Sequence, residues 1–194
     1  RGKVLELLAF TPPSEPLNPA VESTISHEGV VIEEISYGMP YGPRTRGFFA
    51  YPEDRHGRLP AVVALHDHGG FKFYGKEKIC WVKDEPQILR DFKAECYGGR
   101  SWAFELAKRG FAVLTVDLFL WGSRKIPVGS LSEGFRERFE GLREGTDKYI
   151  QEYHAFAAEH EHLIAKTLFA AGTTWPGVFS YEDRRSVDYL LTRK

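Results

Sequence analysis

Two histidines and two glycines stand together in the segment His66-Asp67-His68-Gly69-Gly70, directly after an apolar run. Adjacent glycines permit a tight turn, so polar groups can be held close together there. Two histidines separated by one residue on an extended backbone point to the same side, which is a spacing that metal sites use. Asp117 ends a second apolar run and could add a carboxylate. A metal site is therefore one interpretation of this segment.

The apolar run from Ala61 to Leu65 has no polar break. Such a run predicts a strand that is buried on both faces, as in parallel sheets. Open α/β sheets place their sites at the carboxyl ends of strands. The sequence therefore predicts a functional site in the turn that follows residue 65.

A second apolar run lies downstream of a helical pattern. Ser101 is a predicted N-cap, the helix is expected to end near Arg109, and Gly110 is a predicted C-terminal stop. Residues 111–116 then form a predicted buried strand. Strand, helix and strand at this spacing predict a βαβ unit with a right-handed crossover in a parallel sheet.

The rest of the chain suits one α/β domain over residues 30–194, preceded by an extended arm over residues 1–29. The arm contains Pro12, Pro13, Pro16 and Pro19. Two further strands are predicted over residues 30–35 and 47–51. The other predicted helices cover residues 87–94, 147–171 and 183–191, with a break at residues 172–177.

Bulk composition narrows the class of protein. The chain has 194 residues, is 42% hydrophobic and carries a formal net charge of -1. This predicts a globular domain and gives no electrostatic reason to expect nucleic acid or an acidic membrane as a partner. Two cysteines, Cys80 and Cys96, cannot form a disulfide framework. With no apolar run of about 18 residues, we expect a soluble protein, cytoplasmic or secreted after removal of a signal.

Three segments resemble, in order, the dienelactone hydrolase and acetyl xylan esterase-like branch of the α/β-hydrolases. They are Ala61–Gly70, Trp102–Arg124 and Thr173–Lys194. The resemblance implies a three-layer sandwich with a mostly parallel sheet. It also implies hydrolysis of a small carboxylic ester, such as an acetyl ester on a carbohydrate-like molecule, through an acyl-enzyme and without a cofactor.

The same resemblance assigns the residues of the site. The backbone at Asp67 and His68 would form the oxyanion loop, with the His68 N–H facing the developing charge. The residues expected to contact substrate are His66, Gly69, Gly70, Trp121 and Trp175. No metal ligand is assigned. Asp117 is expected to organise a turn.

The nucleophile of such an enzyme is not in this sequence, because no Gly-x-Ser-x-Gly occurs. The resemblance therefore implies the amino-terminal part of a hydrolase domain, lacking the strands that follow the first βαβ region. The remaining half, with the triad Ser, Asp and His, would be its partner. The chain alone is expected to be inactive, and a homo-oligomer is left open.

Two alternatives remain at this point. One is a metal-dependent hydrolase that uses His66 and His68, and the other is a hydrolase-like module that binds partners without catalysis. A cluster of histidines with Glu159 and Glu161 on the 147–171 helix is expected to be a solvated face. Cys96 superficially matches a nucleophile elbow, but a polar helical segment precedes it.

Overall fold

A computed structural model describes residues 2–12 and 15–193. The described residues form a five-stranded sheet with helices on both faces. The strands are β1 (Ala20–His27), β2 (Val30–Tyr37), β3 (Thr45–Pro52), β4 (Ala61–Val63) and β5 (Ala112–Val116). The helices are α1 (Gly2–Leu8), α2 (Gln87–Tyr97), α3 (Trp102–Lys108), α4 (Glu133–Arg136), α5 (Asp147–Ala170) and α6 (Trp175–Thr192). None of these described helices is long and apolar enough to cross a membrane.

The sheet is mixed, with strand order β1-β2-β3-β5-β4. β4 and β5 are parallel, whereas the other three pairs are antiparallel. The expectation of a mostly parallel sheet was therefore wrong. Glu28 and Gly29 form a two-residue turn between β1 and β2, with φ of 45° and 75°. A turn this short can only join antiparallel strands.

β4 lies at an edge of the sheet, so the prediction of a fully buried five-residue strand was wrong. The strand has three residues; Ala61 is exposed, and Val62 and Val63 are half-buried. Leu65, just beyond it, is 50% exposed. An unbroken apolar run indicates a strand but does not tell an edge from a centre, because pairing partners lie elsewhere in the chain.

Each face of the sheet carries its own apolar core. On one face, Leu114 and Val116 of β5 belong to a cluster that includes Tyr181 and Tyr189 of α6. On the other face, Val113 belongs to a cluster with α3 residues. Successive residues of a strand point to opposite faces, which explains this alternation in β5. The result is three layers, with β4, α3 and β5 forming the predicted βαβ unit.

The amino-terminal region is more regular than the predicted extended arm, because residues 1–29 contain α1 and β1. The Thr174 hydroxyl donates to the carbonyl of Leu8 at 2.9 Å, so α1 is tied to the start of α6. β1 pairs along most of its length with β2. Of the four prolines expected in the arm, Pro13 lies outside the described residues.

One helix begins earlier than expected, and another begins where expected but without the expected capping bond. α6 begins at Trp175 rather than near residue 183, because Thr174 caps it by accepting from the Gly177 N–H at 3.0 Å. A proline in the first turn is compatible with a helix start, so residues 172–177 do not form a simple break. Ser101 precedes α3, but its hydroxyl makes no capping bond and accepts from Lys93 instead.

Candidate functional site

The segment 64–70 leaves β4 at the carboxyl edge of the parallel pair. β5 runs beside β4 in register, so Asp117 and Leu118, which follow β5, lie next to this segment. The Leu118 N–H donates to Nε2 of His66 at 3.4 Å. The structure thus places the predicted turn beside the end of β5, where open α/β sheets locate their sites.

Gly69 and Gly70 adopt the left-handed conformation, with φ of 50° and 60°. A side chain at position 69 would collide with the Asp67 carboxylate, because its Cβ would lie 2.1 Å from Oδ1. Glycine is therefore required at position 69 for both conformation and space. This explains why the polar segment ends in a glycine pair.

Two buried donors hold the carbonyl groups of this loop. Lys78 Nζ donates to the carbonyl of Asp67 at 2.7 Å, and Trp121 Nε1 donates to the carbonyl of His68 at 3.2 Å. The Asp67 carboxylate also accepts from the Tyr97 hydroxyl. Burial lowers the pKa of the Lys78 ammonium to about 8. The loop backbone is thus fixed from one side.

The fixed carbonyls determine where the loop N–H groups point. In a planar trans peptide the C=O and N–H point in opposite directions. The N–H groups of His68 and Gly69 share peptides with the held carbonyls of Asp67 and His68, so they point away from Lys78 and Trp121. Within the described part of the chain, neither N–H donates a hydrogen bond. Two adjacent unused N–H groups are available to an anionic oxygen.

His66 lies beneath the loop and is 7% exposed. Its Nδ1 faces the carbonyl of Asp67 at 3.0 Å, and its Nε2 accepts from Leu118. Burial, assisted by the nearby Lys78 charge, lowers its pKa to about 4, so the ring is neutral at physiological pH. We expected His66 to contact substrate, but its position and satisfied nitrogens suit support of the loop instead.

His68 is exposed and interacts with α5. Its Nδ1 accepts from the Gly70 N–H at 3.1 Å, so Nε2 carries the proton and donates to Glu161 at 2.5 Å. The ring nitrogens of His66 and those of His68 therefore contact different protein groups. The described residues hold no group of three or more potential metal ligands, and nothing in this geometry favours the metal-site interpretation.

Lys72 links the loop to both predicted tryptophans. Its ammonium lies 3.7 Å from the ring centroid of Trp121 and 4.9 Å from that of Trp175, and it donates to Glu161 at 2.7 Å. Burial lowers the pKa of Lys72. Burial opposes ionisation of Glu161, but hydrogen bonds from Lys72 and His68 hold its pKa below the usual value.

Asp117 is fully buried and organises the neighbouring turns. Its carboxylate accepts from the Lys76 N–H at 2.8 Å, from the Lys76 ammonium at 3.0 Å and from the Ser123 N–H at 2.9 Å. Burial opposes ionisation, yet the Lys76 charge and these hydrogen bonds hold the pKa of Asp117 below its usual range. Gly75 and Gly122 approach Asp117 so closely that a Cβ would collide with it.

Sequence reasoning missed Lys72, Lys78 and Glu161. The two lysines lie in a long connection without a recognisable motif, and Glu161 was assigned to a solvated helix face. Their contacts with the loop span up to 93 residues of sequence. The solvated-face prediction was also wrong for His154, whose ring lies 5.6 Å from that of Phe71. Nothing in the residue types or the spacing of this connection marks its lysines as buried.

By sequence, the chain matches no protein-family model and none of the curated proteins. By structure, it resembles a Bacteroides fragilis protein provisionally assigned as an acetyl xylan esterase, with a TM-score of 0.68 and 16% identity. A glucuronoyl esterase from Solibacter usitatus matches over 86% of this chain and 47% of its own, with 14% identity and a TM-score of 0.43. Acetyl xylan esterase 1 from Thermoanaerobacterium sp. matches over 90% and 45%, with 13% identity and a TM-score of 0.38.

Of these three similarities, the Bacteroides fragilis structure is close enough to compare folds. The match covers 99% of this chain and 42% of that chain, so this chain spans less than half the length of the structure it resembles. At 16% identity the likeness concerns the fold and not the activity. The chain therefore shares the fold of part of the Bacteroides fragilis structure, whereas membership of the α/β-hydrolases and the resemblance to dienelactone hydrolases stay predictions.

Proposed function

We propose that this chain supplies the oxyanion-binding loop and one wall of the substrate cleft of a carboxylic ester hydrolase. The observation that carries the proposal is the pair of unused N–H groups at His68 and Gly69. These N–H groups point away from Lys78 and Trp121, which hold the neighbouring carbonyl groups of the loop. The fold shared with part of an acetyl xylan esterase-like structure supports this assignment.

In the proposed reaction, a serine hydroxyl from outside these residues attacks the ester carbonyl carbon. A base takes the hydroxyl proton, and the carbonyl π electrons move to oxygen, which becomes an alkoxide. Removing one donor that stabilises such an oxyanion typically costs about 100- to 1,000-fold in rate. The alkoxide then reforms the carbonyl and expels the alcohol, which takes the proton from the base, and water later releases the acid by the same steps.

The proposed substrate is a small ester, such as an acetyl group on a carbohydrate-like molecule. His68 with Glu161 supplies polar groups beside the loop. Trp121 is buried and backs the site through Lys72, whereas Trp175, which Lys72 also contacts, lines the neighbouring cavity. No residue in this arrangement calls for a cofactor.

The first test compares residues 1–194 with the intact native protein. The isolated 194-residue chain should neither hydrolyse p-nitrophenyl acetate nor react with a fluorophosphonate probe, because it contains no Gly-x-Ser-x-Gly. The native material, defined by intact mass and by sequencing of any second polypeptide, should be labelled on a serine outside these residues. Robust turnover by the isolated chain, or native material without a reactive serine, would overturn the proposal.

A second test changes the support of the loop. In the active native protein, Lys78→Met should lower kcat for p-nitrophenyl acetate by about 100-fold with little change in KM, because a donor to the oxyanion loses its fixed direction. Lys83→Met is the matched control, since Lys83 is exposed in the same connection. A Lys78→Met protein with the kcat of the control would contradict this role for the loop.

A further inference from the structure

An apolar cavity of about 140 Å³ lies between α5, the segment 120–131 and the start of α6. Its walls include Leu120, Leu131, Tyr153, Phe156, Ile164 and Trp175. Protein interiors are close-packed and contain few voids larger than a water molecule. A space of this size, lined mostly by hydrocarbon, is large enough to accept a small apolar group.

The charged groups of the cavity wall neutralise one another. Lys72 and Glu161 line it, and they are paired at 2.7 Å. The remaining lining histidine, His160, directs Nδ1 to the carbonyl of Phe156 at 2.8 Å. No uncompensated charge is thus left among the described lining residues, and a charged ligand would lose its hydration without gaining a partner.

The cavity shares a wall with the oxyanion loop and reaches the surface. The Glu161 oxygen that pairs with Lys72 also accepts from Nε2 of His68. Leu163 is 42% exposed and Phe135 is 37% exposed, and both line the cavity. The cavity is therefore partly open to solvent, and a small molecule in it would lie near the side chains that contact the loop.

We propose that this cavity binds an uncharged group of the size of a benzene ring. An engineered apolar cavity of about 150 Å³ in another protein binds benzene, which sets the scale. Resting on the proposed function, the inference extends its substrate class: besides the acetyl group, the ester would carry an aromatic or similarly bulky apolar substituent in its alcohol part. The cavity offers nothing that would recognise a sugar hydroxyl in its apolar part.

The test uses fluorobenzene and residues 1–194, followed by ¹⁹F NMR and by competition with benzene. The wild-type chain should bind the probe saturably. Ala157→Phe places a ring in the cavity, because Ala157 lines it, and should weaken binding at least about tenfold, or about 1.4 kcal/mol. Ala158→Phe is the matched control, since Ala158 is exposed on the same helix, and its affinity should equal that of wild type.

A second variant works in the opposite direction and covers the case in which Ala157→Phe does not fold. Ile164→Ala enlarges the cavity, so indole should bind this variant at least about tenfold more tightly than it binds wild type. Absence of saturable fluorobenzene binding, or an unchanged indole affinity in Ile164→Ala, would overturn the inference. Fluorobenzene carries no ester and needs no nucleophile, so this result is independent of whether the esterase proposal holds.

Discussion

At the scale of single residues, the turns near the loop depend on buried charges held by ion pairs. The side chain of Asp117 is fully buried and that of Lys76 is 5% exposed, and the two are joined at 3.0 Å. The Lys76 ammonium also contacts Glu77 at 2.6 Å, so it keeps one carboxylate partner if Asp117 is replaced. The three donors that Asp117 accepts from would lose a charged acceptor, which makes the turns around residues 75 and 122 sensitive to substitution.

Asp117→Asn should lower the free energy of unfolding by about 1.5–3 kcal/mol, because three buried donors lose their charged acceptor while Lys76 keeps its pair with Glu77. Urea unfolding followed by circular dichroism measures this difference. Asp188→Asn is the matched control, since Asp188 pairs with Arg185 at 2.8 Å at the surface and such pairs contribute at most about 1 kcal/mol. Equal losses in the two variants would contradict the role assigned to Asp117.

His66 predicts a pH dependence of stability. Its pKa is about 4 in the folded chain against an ordinary value of 6.5, so the unfolded chain binds more protons between these values. The contribution of the neutral His66 ring to the free energy of unfolding is therefore complete above about pH 6.5. It is lost, by up to about 3 kcal/mol, as the pH drops to about 4.

Urea unfolding across this pH range compares wild type with His66→Gln. In the variant, the free energy of unfolding should depend less on pH, because the contribution of His66 is gone. Burial raises the pKa of Asp183 to about 6, but this contribution is common to both proteins and cancels when the two curves are subtracted. His56→Gln, at an exposed position, should run parallel to wild type. A His66→Gln curve parallel to wild type would show that this imidazole is not held neutral.

At the scale of elements, sequence patterns predicted the helices and strands that depend on nearby residues. The βαβ unit of β4, α3 and β5 and the long α5 follow from apolar runs and helical periodicity. The edge position of β4 did not, because it depends on which strands pair with β5. Likewise, the contacts of Lys72, Lys78 and Glu161 with the loop join distant segments and leave no periodic signal.

The sequence contains a helix-start pattern at α6, but neighbouring glycines led to the prediction of a break there. Thr174 followed by a proline in the first turn is a helix-start pattern, whereas the flanking glycines suggested a break. Thr174 both caps α6 through the Gly177 N–H and donates to Leu8 of α1. Thr174 therefore ties α1 to α6 and also caps the first turn of α6.

Thr174→Ala should lower the free energy of unfolding by about 1–2 kcal/mol, because the cap is lost, and the bond to Leu8 is lost with it. Thr174→Ser should restore most of this loss, since the hydroxyl is kept. Thr167→Ala serves as the control: Thr167 is exposed in the last turn of α5, and alanine there should be neutral or stabilising by up to about 0.7 kcal/mol. Thermal and urea unfolding of the three variants measure these differences.

At the scale of the whole molecule, the two edges of the sheet differ in character. β1 is mostly exposed and carries polar residues such as Glu22, Ser23 and Thr24. β4 is short and apolar, and Leu65 beside it is half exposed. Polar or charged residues on an edge strand discourage pairing with another chain, whereas an apolar edge invites it. The isolated 194-residue chain should therefore associate through β4.

Leu65→Lys tests this expectation, because a lysine next to β4 opposes pairing and removes exposed apolar surface. Sedimentation velocity over a range of concentrations should show concentration-dependent association of wild type, and the variant should need at least about tenfold higher concentration. Leu191→Lys is the matched control: Leu191 is 80% exposed on α6 and is not part of the sheet, and the same change there should leave association as in wild type. If both lysines reduce association equally, general surface hydrophobicity and not the β4 edge would govern it.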